Sequence, residues 1–213
     1  MSTTLVRALA DDPSTLSRDL GLGLVTRAAR LVLFSGLNDE LARQQDKWLE
    51  ADLALQSLGM DPGVGQVEVT PVAPANFYEG PGKTLVKSPP SAFPNVNVMA
   101  YMTVASPSQA FDQAQSSDIT LFIESMAISG PVDEGAARIH EAIVHRRIER
   151  MTEAVAAVIE ANPTLLGTIH ELRTPPRGGI GNNSWLNSTN EGAGDRYLWH
   201  GSRLQYTLTR HHS

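Results

Sequence analysis

NVNVMAYMTV (Asn95–Val104) and DITLFIESMAI (Asp118–Ile128) decide the fold. In the first, Val96, Val98, Ala100, Met102 and Val104 alternate with Asn95, Asn97, Met99, Tyr101 and Thr103. That period of two predicts a strand. In the second, Ile119, Leu121 and Ile123 share one face, while Phe122, Met126 and Ile128 make the other apolar as well. A strand apolar on both faces is expected to be covered on both sides.

After Ser129-Gly130-Pro131, the period changes. Val144, Ile148, Met151, Val155 and Val158 step by three and four, and Ile139, Ile143 and Ile159 widen the stripe. This predicts a long amphipathic helix, with Asp133 and Glu134 at its positive end and Asn162-Pro163 as its stop. A third strand is expected over Leu166–Leu172 and a fourth over Arg196–Thr209, with Gly201-Ser202 marking a bulge. Between them, residues 174–195 have no regular pattern. The order predicts an α+β domain over 94–213, a small mixed or antiparallel sheet of about four strands on one long helix.

Upstream, residues 1–60 read as helix-rich. Asp12-Pro13-Ser14 is a helix start, Gly21 and Gly23 weaken a helix passing through them, and a better helix is expected from Asn38 or Asp39 to Leu58. Leu41, Trp48, Leu55 and Leu58 form its stripe, and Gly59 suits its end. Residues 61–93 are rich in proline and glycine and read as an ordered connection or an arm laid over a neighbour, with Val67–Thr70 as a short strand at most.

Composition limits function. With 41% hydrophobic and 19% charged residues, the chain is globular. It has no cysteine, which excludes disulfides, thiolate metal sites and cysteine nucleophiles. A net charge of −6 argues against a free-standing nucleic-acid binder. MSTTLVRALADDP shows no secretion signal, and the longest strongly apolar run, Leu31–Phe34, falls far short of the ~20 residues of a spanning helix. A soluble protein with no membrane partner is expected.

The catalytic motifs searched for fail on spacing. Gly80–Thr84 reads GPGKT, but a phosphate-binding loop needs glycine where Phe77 stands and a helix where LVKSPPS follows. His140, Glu141 and His145 miss the zinc-protease spacing by one, so the histidines lie about 140° apart on a helix. Glu124, Glu141, Glu149, Glu153 and Asp118 have nothing that fixes them as a metal site. No catalytic residue, cofactor or metal is predicted. The candidate interface residues are aromatic and apolar groups set in irregular polar stretches: Phe77 and Tyr78 in the arm, Trp185 and Leu186 in the 174–195 loop.

PNVNVMAYMTV, DITLFIESMAI, the helix IHEAIVHRRIERMTEAVAAVIEAN and the closing strand RYLWHGSRLQYTLTR together resemble the tail-terminator (tail-completion) family of long-tailed bacteriophages. Trp199, Gly201, Leu204 and Tyr206 fill the aromatic–x–small–x–x–Leu–x–aromatic pattern of the family's late strand. The resemblance covers a little over half of the chain. It implies a structural virion protein without an active site. Such proteins form rings, usually hexameric, that cap the tail tube, end its polymerisation and join it to the head connector, with genomic DNA passing through the lumen without specific binding. It implies location at the head–tail junction, after assembly in the host cytoplasm. Residues 1–93 depart from the compact family pattern. The alternatives are another neck or connector adaptor and, from a different class, a small hydrolase with an unrecognised site.

Overall fold

The computed structural model describes residues 13–60, 63–80, 90–102, 116–131, 134–169, 171–173, 185–188 and 197–211. The protein is an α+β fold in which two long helices lie on one face of a mixed sheet. Helix α1 spans Pro13–Ser57 and helix α2 spans Ala137–Glu160. The strands are β1 (Phe77–Glu79), β2 (Asn95–Met102), β3 (Ser116–Pro131), β4 (Glu171–Arg173), β5 (Trp185–Ser188) and β6 (Tyr197–His211).

The sheet order is β1-β2-β3-β6-β4, with β5 also paired to β6. Its centre is antiparallel: Val98, Ile123 and Leu204 form one row, and Asn97, Glu124 and Arg203 the next. Only β1, parallel to β2, makes the sheet mixed. The expected count of about four strands rises to six because β1 and β5 join the sheet, while β4 stands in the place of the third predicted strand.

Alternation places each side chain. Val96, Val98, Ile119, Leu121, Ile123, Leu204, Tyr206 and Leu208 face the helices and are buried. From α2, the predicted stripe of Val144, Ile148, Met151, Val155 and Val158 meets them, with Ile159. The helix is unbroken, and its first turn is the tighter Glu134–Ala136 helix.

α1 differs from expectation. From Pro13, the first described residue, it runs unbroken through Gly21 and Gly23 for 45 residues, about 68 Å. Glycine inside a helix costs only ~1 kcal/mol. Val25, Ala28, Ala29, Val32, Leu33, Leu37, Leu41 and Trp48 enter the same core cluster as the sheet and α2, and burial on that scale outweighs two glycines. Leu58, assigned to the stripe by spacing, lies in the turn just past the helix and is 70% exposed. Gly59 ends the helix in the left-handed region (φ 67°), with its N–H on the Gln56 carbonyl and the Met60 N–H on the Leu55 carbonyl.

Two further expectations need correction. Within the strand predicted over Leu166–Leu172, the described residues up to Ile169 form a compact turn, and strand form is described over Glu171–Arg173. Leu165 and Leu166 take positive φ (43° and 60°), which drives Leu165 fully into the core. The bulge expected at Gly201-Ser202 is absent there: Gly201 pairs with Met126 and Ser202 with Ser125 in regular register. The irregularity lies across the ladder between Ile128 and Pro131, where Gly130 adopts φ 111°.

Candidate functional site

Residues 66–72 form no strand, yet they are held along α1 as tightly as an edge strand. The Val67 N–H donates to Asp52 Oδ2 at 2.8 Å, the Val69 N–H to Gln45 Oε1 at 3.4 Å and the Val72 N–H to Asn38 Oδ1 at 2.8 Å. Asn38 Nδ2 returns a bond to the Val72 carbonyl at 3.0 Å. Asn38, Gln45 and Asp52 are seven residues apart, a spacing that returns to nearly the same helix face. Val67, Val69 and Val72 are buried while Glu68 and Thr70 point out. Of the two readings of this segment, an ordered connection or an arm laid over a neighbour, this stretch is an ordered connection held on the chain's own helix.

At one end of this ladder is a buried ionic cluster. Asp52 is fully buried and accepts from Arg146 Nη1 at 3.0 Å and Arg150 Nη2 at 2.5 Å. Arg150 also donates to the carbonyls of Val67 and Trp48 and lies over the Trp48 ring. Burial pushes the Asp52 carboxyl up. The hydrogen bonds from Arg150 and Val67, with the charges of Arg150 and Arg146, outweigh that and hold it below the ordinary carboxylate value. Arg146 and Arg150 thus form an internal brace with Asp52. Arg147 completes it with bonds to the carbonyls of Glu68, Ile128 and Ser129.

The face of the sheet away from the helices carries a second polar group. Glu124 is buried and accepts from Arg203 Nε at 3.1 Å and Asn97 Nδ2 at 3.3 Å. The Arg203 guanidinium also lies over Phe122, 5.3 Å from its centroid, and Tyr101 packs edge-on against the same ring at 5.7 Å. At the other end of that face, Phe93 stacks on Trp199 beside Met126. The two-sided apolar reading of β3 is thus met by helices on one side and by this mixed layer on the other.

Among the described residues no group of three or more histidines and carboxylates gathers as a metal site. Glu124 is tied to Arg203, Glu149 lies 3.1 Å from His145 Nε2, and Glu153 accepts from Trp48 Nε1 at 3.2 Å.

The four candidate interface residues are not brought together. Phe77 is 4% exposed and packs edge-on against Phe34 at 5.3 Å, so it belongs to the core and offers no surface. The reason is the parallel pairing of β1 with β2, which turns Phe77 inward opposite Val96. Tyr78 is half-buried. Trp185 and Leu186 open β5, opposite Gly201 and His200 of β6, so part of the predicted loop is strand; residues 174–184 and 189–195 of it lie outside the described residues. Sequence reading missed the Asn38–Gln45–Asp52 ladder, though its seven-residue spacing of hydrogen-bonding side chains was visible. Compared with known proteins, the chain matches no family model and no curated sequence.

Proposed function

We propose that the protein is a structural component of a bacteriophage head–tail junction, a tail terminator that works as a closed homo-oligomeric ring, most simply six-fold. One observation carries the reading. The four segments behind the resemblance form a single unit: β2, β3 and β6 are successive strands, and α2 packs on β3 and β6. Within β6, Leu204 and Tyr206 enter the main core, while Trp199 anchors the opposite face and Gly201 stands opposite Met126. The ring would meet the tail tube protein on one side and the head connector on the other. Genomic DNA would pass through the lumen, and a chain of net charge −6 agrees with passage without retention. Cyclic closure requires a heterologous interface that returns on itself.

Light scattering combined with negative-stain imaging tests the proposal, with rings as the expected result. A single-chain mass in both free and particle-extracted material overturns it. Replacing Trp185 and Leu186 together by serine is expected to leave the subunit folded and to reduce ring formation or docking at least tenfold, because an aromatic anchor commonly carries 2 kcal/mol or more (roughly) of an interface. Normal assembly of that variant into infectious particles removes the assignment of this segment to the interface.

A further inference from the structure

His145 of α2 and His200 of β6 stack ring on ring, with centroids 4.9 Å apart and planes inclined by 24°. Their Nδ1 atoms lie 3.2 Å apart, and His145 Nε2 lies 3.1 Å from Glu149 Oε1. His200 is 5% exposed, and its Nε2 has no hydrogen-bond partner. These contacts constrain where the protons of a neutral pair sit. The carboxylate of Glu149 only accepts, so His145 Nε2 carries a proton. A neutral His145 then presents a bare Nδ1, and His200 donates its Nδ1–H to it. The buried His200 Nε2 is left as an unfilled lone pair, which costs less than a buried unpaired donor.

Every way of adding a proton damages this arrangement. On His200 Nε2 it creates a buried cation with no partner. On His145 Nδ1 it sets two N–H groups against each other, or forces the His200 proton onto the orphaned nitrogen. Swinging the rings apart relieves each case, and His145, with its side chain 49% exposed, has the room to leave.

We infer that the His145–His200 stack is a proton-operated latch between α2 and the β5–β6 end of the sheet, closed when both rings are neutral and released in mild acid. The inference is independent of the proposed ring.

The surroundings leave His200 as the buried titrating group. Against His200, β3 presents Ala127 and β5 pairs through Leu186, neither of which titrates. On α2, Glu149 faces His145, while Arg147 is turned to the Ile128, Ser129 and Glu68 carbonyls. Two residues along β6, Ser202 meets Thr152, a neutral contact. Burial, the larger cause, together with any positive charge on His145, holds His200 down to about 4. Its ordinary value lies near 6.5. The sign follows: the open state binds the proton more readily, so the closed state is fully favoured above about 6.5 and loses that preference as pH falls toward 4.

The full-length protein is examined by amide hydrogen exchange at pH 7.5 and 5.0, corrected for the intrinsic rate, and by nitrogen-15 NMR of its histidines. At pH 7.5 the expected tautomers are Nδ1–H for His200 and Nε2–H for His145. Between the two pH values, protection of Leu198–Ser202 is expected to fall about 30-fold relative to Leu204–Leu208, from the separation of open- and closed-state titration. His200→Phe, which keeps a ring in the stack but cannot take a proton, is expected to lose that difference. Equal protection at both pH values in the wild type, the opposite tautomers, or an unchanged acid response in His200→Phe overturns the latch. The wild-type measurements decide the matter even where the variant does not fold.

Discussion

Replacing Asp52 by alanine is expected to destabilise the protein by about 3–5 kcal/mol, the cost of leaving a buried charge without its partner. Arg150 is 6% exposed and would keep only the Val67 and Trp48 carbonyls, and the Val67 N–H would lose its acceptor. Asp52→Asn retains an acceptor for Val67 and is expected to lose less, about 1.5–3 kcal/mol. Pairing Asp52→Ala with Arg150→Met should recover part of the loss, because no unpaired charge then remains at Arg150. Urea midpoints of the four proteins measure this, and a loss below about 1 kcal/mol for Asp52→Ala would contradict the brace. The pH dependence has a definite sign. The folded carboxyl lies below its unfolded value, so its contribution is present above the ordinary carboxylate range and lost as pH falls through the depressed folded value.

Leu33→Ala is the second large effect, at about 2–5 kcal/mol. Leu33 is fully buried on α1, in the same cluster as Leu121 and Ile123 of β3 and Met151 of α2. The loss should appear in one cooperative transition reported equally by helix content and by sheet amides. A helical region folding by itself would instead show a separate early transition, with the sheet unaffected. That result would falsify the shared core.

These two sites mark how far the sequence could be read. β2, β3, α2 and β6 were legible because each buries one periodic face, and Val96–Val98, Ile119–Ile123 and Val144–Val158 occupy the faces their spacing predicts. α1 was read as broken because local propensity at Gly21 and Gly23 was weighed without the core that covers the following turns. β1, β4 and β5 have only three, three and four described residues, too few for a period to show, and the turn at Leu165–Leu166 depends on backbone angles that leucine rarely takes. Nothing in the local sequence singles out Asp52. Its role depends on Arg150, 98 residues away, a contact no local pattern encodes. Likewise His200 and His145 are 55 residues apart and meet only because β6 lies under α2.

The seven-residue ladder on α1 acts as a ruler for the chain that crosses it. Val67 to Val72 advances about 16 Å if extended, and Asn38 to Asp52 advances about 21 Å along the helix, and the three side chains bridge that difference and pin the two segments at fixed points. One residue inserted in α1 between Asn38 and Asp52 would turn part of the ladder by about 100° and leave at least one backbone N–H without its partner. The same insertion near Gly63–Gly65, before the first contact, would disturb none of them. Variation in length among natural or engineered versions of this chain should therefore collect outside residues 38–52 and 67–72 and be excluded within them.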